Sequence, residues 1–239
     1  MTIAAMLAGI PPRCFALVPC AGVGARAGAG GPKQYRSVAG RPVVAHTLAA
    51  LAQVPALDAT LVVLSPSDTD FDRVMHGYEG ERGWVARCGG DSRAETVANG
   101  LRELQARGAQ PHDWVLVHDA ARCLLRPEWV QRLIDACRDD EVGGLLALPL
   151  ADTLKQELDG RVTATVDRAH KWAAQTPQMF RLGLLQPALV HAGATVTDEA
   201  SAVEALGHAP RLVRGEMENF KLTWPEDFEL AERLLASRG

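Results

Sequence analysis

An α/β fold, with one sheet carrying helices on both faces and a projecting β-arm, is predicted from three observations. Apolar strand-like runs alternate with helical patterns through most of the 239 residues. The 47% hydrophobic content is enough to bury one substantial core, so residues 1–239 read as a single domain. One stretch, about 151–180, breaks the alternation and reads as the arm.

In chain order, the predicted strands are 15–19 (FALVP), 59–65 (ATLVVLS), 84–88 (WVARC), 114–118 (WVLVH), 143–148 (GGLLAL) and 211–214. Each is a short apolar run bounded by turn residues. Helices are predicted to start at Pro42, Arg93, Pro127 and Pro225, and proline is tolerated there because the first helical N–H lacks a partner anyway. Ser92 and Glu95 have the spacing of a capping box at the Arg93 helix. The arm is read from DTLK, a turn at Asp159-Gly160, the alternating VTATV, and a Trp/Thr/Pro/Gln-rich continuation. A hairpin projecting from a sheet needs something to lie on, and a second subunit is the expected support.

The first strand feeds a glycine-rich loop carrying Arg26 and Lys33, in FALVPCAGVGARAGAGGPKQY (15–35). Glycines let backbone N–H groups approach an anion, and a loop leading into a helix N-terminus adds partial positive charge. No Asp or Glu precedes Asp58, whereas Arg13, Arg26, Lys33, Arg36 and Arg41 do, in a chain of net charge −4. This asymmetry suits a polyphosphate. A Walker loop is excluded, because Pro32 precedes Lys33 and Gln34 follows it. The dinucleotide fingerprint is met in relaxed form by Gly22, Gly24 and Ala27, but the first acid after them is Asp58, too distant to bind a ribose. A test of NAD binding would separate that reading.

Two further clusters fall where strands end, the usual ligand edge of an open α/β sheet. In CGGDSRAET (88–96), Gly89 and Gly90 can offer backbone groups to a base and Thr96 a hydroxyl; a tight turn with a helix cap is the plain alternative. In VHDAAR (117–122), Asp119 can hold magnesium through water or accept from a sugar hydroxyl, or simply pair with Arg122. His118 points to the opposite face from Asp119 and reads as a wall or core histidine. Only four of the 25 basic residues are lysines, at 33, 155, 171 and 221, and a compact ammonium in such segments is suited to phosphate contact.

Five cysteines without a Cys-x-x-Cys pair argue against disulfides and zinc, and point to a reducing cytoplasm. The N-terminal MTIAAMLAGI lacks a basic lead and nothing resembles a transit peptide, so a bacterial cytoplasmic protein with neither membrane nor nucleic-acid partners is expected.

The ordered set PCAGVGARAGAGGPKQY, GGDSRAET, VHDAAR, DTLK, DRAHKWAAQTPQ, TDEAS and ENFKLTWPEDFELAE closely resembles the 2-C-methyl-D-erythritol 4-phosphate cytidylyltransferases of non-mevalonate isoprenoid synthesis, from about Phe15 to Leu235. The resemblance implies a Rossmann-like nucleotidyltransferase sheet, a homodimer exchanging β-arms, and attack of a polyol phosphate on CTP with Mg2+ present. It places the nucleotide at Ala21, Gly22, Gly24, Gly90, Asp91 and Thr96, and makes Arg26 and Lys33 the cations of the triphosphate. Asp119 and Arg122 would lie near the metal and sugar phosphate, while Thr153, Arg168 and Thr176 would reach the substrate from the neighbouring subunit's arm. Lys221 would position the substrate phosphate. Direct metal ligands are left unassigned. Cys20 and Cys123 depart from the alanine and proline usual at their positions. A ribitol 5-phosphate cytidylyltransferase is the nearest alternative, and a nucleotide-binding regulator without turnover is the alternative from another class.

Overall fold

A computed structural model describes residues 11–22, 31–193 and 196–238. Its centre is a seven-stranded sheet. The strands are β1 (Cys14–Pro19), β4 (Ala59–Val63), β5 (Gly83–Ala86), β6 (Trp114–Val117), β7 (Gly143–Pro149), β10 (Trp172–Arg181) and β11 (Arg211–Arg214), in spatial order β11-β7-β10-β6-β1-β4-β5. β10 runs antiparallel to both neighbours, β6 and β7, and the other pairings are parallel. Two small hairpins lie outside the sheet: β2 (Ser37–Val38) with β3 (Arg41–Pro42), and β8 (Leu154–Leu158) with β9 (Arg161–Val166).

Alternation along β1 divides the core. Ala16 and Val18 face one apolar cluster with Leu48 of α1 (Val43–Ala52) and Val130 and Leu133 of α4 (Pro127–Cys137). Phe15 and Leu17 face the other, with Leu101 and Leu104 of α3 (Arg93–Ala106) and Leu182 and Leu185 of α5 (Leu182–Ala192). Helices thus cover both faces, as the period-2 pattern requires. The remaining helices are a single turn, α2 (Phe71–Val74), then α6 (Glu199–Ala205) and α7 (Pro225–Ala236). A third cluster sets Phe228 and Ala231 of α7 against Ala121, Cys123, Leu124 and Leu222, fixing the segment that carries Lys221.

The six predicted strands all exist, with ends shifted by up to two residues in either direction. Pro127 and Pro225 open their helices, whereas Pro42 closes β3 and stands just before α1. Ser92 caps α3 by accepting from the Glu95 N–H, but the Glu95 carboxylate reaches the Asp91 N–H at 2.9 Å, so the predicted box is shifted by one residue.

The arm is shorter than predicted. It spans the β8–β9 hairpin and its stems, while 172–180, read from sequence as arm, belongs to the interior strand β10. Gln175, Thr176 and Gln178 disguise it, because their polar side chains are buried and satisfied by distant partners. A register shift between Ala174 and Gln178 places that polar run in a bulge.

Candidate functional site

A cleft of about 550 Å³ opens at the carboxyl ends of β1 and β6 and at the N-terminus of α3. Its walls bring together Ala21, Gly22, Lys33, Gly90, Asp91, Thr96, Asp119 and Lys221, eight of the residues singled out from sequence. Gly24 and Arg26 lie outside the described residues.

The β1 side is held by Gln34, which is buried and donates to the carbonyls of Cys20 (3.1 Å) and Gly22 (2.9 Å). Lys33, on a single 3-10 turn after Pro32, donates from Nζ to the Leu222 carbonyl at 2.8 Å. The glycine-rich loop's lysine and the Lys221 segment are therefore tied together. Burial pushes the Cys20 thiol up to about 12 and Cys123 to about 11, so both substituted cysteines fill space as inert thiols.

The α3 side is a closed turn. The Gly89 N–H donates to the Leu64 carbonyl (2.8 Å), the Gly90 N–H to Thr96 Oγ1 (3.1 Å), and the Asp91 N–H to Glu95. Thr96 donates its own hydroxyl proton to the Ser92 carbonyl at 2.9 Å. The sequence reading offered backbone groups of Gly89 and Gly90 and the Thr96 hydroxyl to a base; here their N–H groups and that hydroxyl are already used to shape the turn. A Cβ at Gly89 would collide with Ala21 and the Leu64 carbonyl, so the turn lies against the loop after β1.

Asp119 is the centre of the site. It follows β6, is buried, and pairs through Oδ1 with Arg93 Nε (2.8 Å) and through Oδ2 with Lys221 Nζ (2.9 Å), with Arg122 Nε 3.7 Å from Oδ2. Burial alone would raise its pKa, but Arg93, Lys221 and Arg122 outweigh burial and hold the carboxyl well below the usual range. The Asp119 N–H donates to Thr176 Oγ1 at 3.0 Å, and that hydroxyl lies 3.1 Å from Nδ1 of His118, whose Nε2 is 3.3 Å from the Arg122 carbonyl. One assignment satisfies the chain: Nε2 carries the proton and donates to Arg122, and Nδ1 accepts from Thr176. Burial accordingly drives the His118 pKa down to about 4, which agrees with a neutral wall histidine.

Arg122 and Thr176 therefore stand behind Asp119. Arg122 Nη1 donates to the Asn219 carbonyl at 2.7 Å, and Asn219 Nδ2 to the Thr176 carbonyl at 2.8 Å. Thr176 is a strand residue of its own subunit's sheet, which corrects its placement on the arm. Thr153 and Arg168 are exposed on the arm stems, and Arg168 lines a separate depression with His170 and Lys171.

Sequence reasoning missed Arg93, Glu199, Gln34 and Asn219. Arg93 carried a signal, since a cation at the first position of a helix opposes the helix dipole and needs carboxylates nearby. Glu199 supplies one: it is fully buried and takes both Arg93 terminal nitrogens, at 2.6 and 3.0 Å. An acid in the first turn of a helix is commonplace, so although Glu199 stands in the TDEAS motif nothing there pointed to a partner in α3.

Among the described residues no group of three or more His, Cys, Asp or Glu could hold a metal, and no helix is long and apolar enough to cross a membrane.

A sequence profile for the family described as IspD: 2-C-methyl-D-erythritol 4-phosphate cytidylyltransferase matches residues 14–237. The chain is 52% identical over 230 residues to the enzyme of that name from Burkholderia cenocepacia, covering 94% of this chain and 97% of the relative. It is 61% identical over 228 residues to a bifunctional enzyme IspD/IspF from Albidiferax ferrireducens, covering 95% of this chain but only 54% of that one. Among solved structures, a 4-diphosphocytidyl-2C-methyl-D-erythritol synthase superposes with a TM-score of 0.84 at 43% identity, covering 95% of this chain and all of the other. The Francisella tularensis 2-C-methyl-D-erythritol 4-phosphate cytidylyltransferase gives 0.80 at 31% identity, covering 92% and 99%.

Proposed function

The chain belongs to the 2-C-methyl-D-erythritol 4-phosphate cytidylyltransferase family, and from that premise we infer that it transfers CMP from CTP to 2-C-methyl-D-erythritol 4-phosphate, releasing pyrophosphate. The observation that carries this reading is the cleft in which Lys33 and Lys221 converge beside Asp119, at the strand ends and the α3 N-terminus.

The reaction asks little covalent work of the protein. A 4-phosphate oxygen of the acceptor forms a bond to the α-phosphorus of CTP, the bond from that phosphorus to the β-phosphate bridging oxygen breaks, and pyrophosphate leaves. The attacking phosphate is ionised near neutral pH, so no general base is needed. Rate comes from in-line positioning and from cations matched to the shifting charge. We assign Arg26 and Lys33 to the triphosphate and Lys221 to the acceptor phosphate. Asp119 holds the Lys221 ammonium in place from its buried position.

We assign Mg2+ to the bound CTP, where it neutralises phosphate charge. Both Asp119 oxygens are already engaged by Arg93 and Lys221, so the donor set fits an ion that arrives on the triphosphate and keeps its waters better than one in a protein cage.

A preference for cytosine over uracil is read from the α3 turn. With the N–H groups of 89–91 engaged within the chain, the turn favours a base that presents an amino donor; cytosine has N4 amino hydrogens where uracil has an acceptor. Arg168 and Thr153, exposed on the arm, are assigned to the acceptor site of a second copy. Leu158 and Val162 on that hairpin are each 64% exposed, which supports a homodimer that covers them.

A pyrophosphate-release assay with CTP, UTP and ATP against a panel of polyol phosphates tests the reading. Turnover should be confined to CTP with 2-C-methyl-D-erythritol 4-phosphate. Equal kcat/KM with ribitol 5-phosphate, or with all three nucleotides, would refute the assignment of acceptor or base.

A further inference from the structure

We infer that Arg93 and Glu199 form a positioning pair for the transfer reaction, in which Arg93 fixes the Asp119 carboxylate and Glu199 acts only through Arg93. This rests on the cytidylyl-transfer reading above. Arg93 lines the cleft and is 27% exposed, so its charge invites assignment to a phosphate. Its geometry assigns it elsewhere. All three guanidinium nitrogens already meet carboxylates, Nε on Asp119 and the terminal pair on Glu199.

The anchor behind it is rigid. Gln178 of β10 donates to Asp198 Oδ2 (2.8 Å) and accepts from the Ala200 N–H (2.8 Å), which clamps the first turn of α6 on either side of Glu199. Glu199 therefore holds the guanidinium fork in one plane, and the fork holds Asp119 Oδ1. The opposite side of Asp119 is set by its own N–H on Thr176. With Oδ1 fixed in this way, Oδ2 is left to aim Lys221. The bidentate fork is required, since an ammonium is a point charge and cannot span two carboxylates with three directed bonds.

Steady-state kinetics of Arg93→Gln, Arg93→Lys, Glu199→Gln and the Arg93→Gln/Glu199→Gln double variant, each well below its melting temperature, test the pair. Arg93→Gln should lower kcat about tenfold or more with KM for CTP within about threefold, the signature of a lost orientation effect. Arg93→Lys should be as poor as Arg93→Gln. The double variant should be no slower than Arg93→Gln alone, because Glu199 has no other route to Asp119. Wild-type kcat in Arg93→Lys would overturn the inference, as would single-variant losses that multiply in the double variant. If Glu199→Gln fails to fold because it removes one of the two carboxylates that balance Arg93, Arg93→Lys against Arg93→Gln still decides. A wild-type chain without pyrophosphate release would overturn the functional reading and this inference together, whereas normal wild-type turnover with unaffected variants overturns the inference alone.

Discussion

His118 shows how a single buried ring can govern acid sensitivity. Its pKa falls from an ordinary 6.5 to about 4 on folding, so the unfolded chain takes up a proton that the folded chain refuses. Stability is therefore unaffected by this residue above pH 6.5 and declines as pH falls from there towards 4, by on the order of 3 kcal/mol in all. Denaturant midpoints across that range should fall in the wild type and fall less steeply in His118→Gln, where His46, also held below its ordinary pKa by burial, still contributes; parallel curves for the two proteins would refute the assignment. At Lys33 the expected effect is kinetic. Lys33→Ala, and Arg26→Ala with it, should lower kcat by about a hundredfold, as loss of one preorganised donor does elsewhere. Weaker CTP binding at unchanged kcat would leave the loop a binding role only. Most of these residues were legible in the sequence because they stand in odd surroundings: lysines in an arginine-rich chain, glycines clustered after a strand. Arg93 gave only the hint of a cation at a helix start and Glu199 none of its role, because their pairing exists only once the first turns of α3 and α6, distant in sequence, meet.

At the scale of elements, α3 illustrates how closely helix and sheet meet behind the site. Gly100 faces β1 and β4, and a Cβ there would stand 2.7 Å from Val63 Cγ2 and 2.8 Å from Leu17 Cδ1, both fully buried. Gly100→Ala would gain about 1 kcal/mol of helix propensity, but overpacking costs about 1–3 kcal/mol. Net destabilisation is expected, read as a lower denaturant midpoint at unchanged m; a rise in midpoint would mean that the core yields more easily than its packing implies. Sequence analysis found most strands by their apolar runs and the helices by a proline or a cap at the start. It missed α5, whose pattern is broken by Gly183 and Pro187, and both α2 and α6, four and seven residues long and too short for periodicity to register. β10 was mistaken for arm because its Gln, Thr and Pro residues carry the chemistry of loops, and only tertiary partners make them affordable inside a sheet.

At the scale of the whole molecule, the cleft and the arm stems are separate features of one chain, and the proposed homodimer unites them. Mixing an Arg168→Ala chain with a Lys33→Ala chain should restore roughly a quarter of wild-type activity, since half the dimers would be mixed and each would hold one site with both native residues. Mixed dimers without activity would mean that the arm serves its own subunit. The arm's attachment carries a consequence of a different kind. Its two stems leave from β7 and return to β10, strands that are already ladder neighbours, and the Leu150 N–H donates to the Lys171 carbonyl at the base. Residues can therefore be added or lost between those stems without re-registering any strand of the sheet, and doubling the length of such a closed excursion costs only about 0.6 kcal/mol. If the proposed homodimer forms through this arm, its contact surface can change in length and composition while the strand that roots it keeps Thr176 on Asp119.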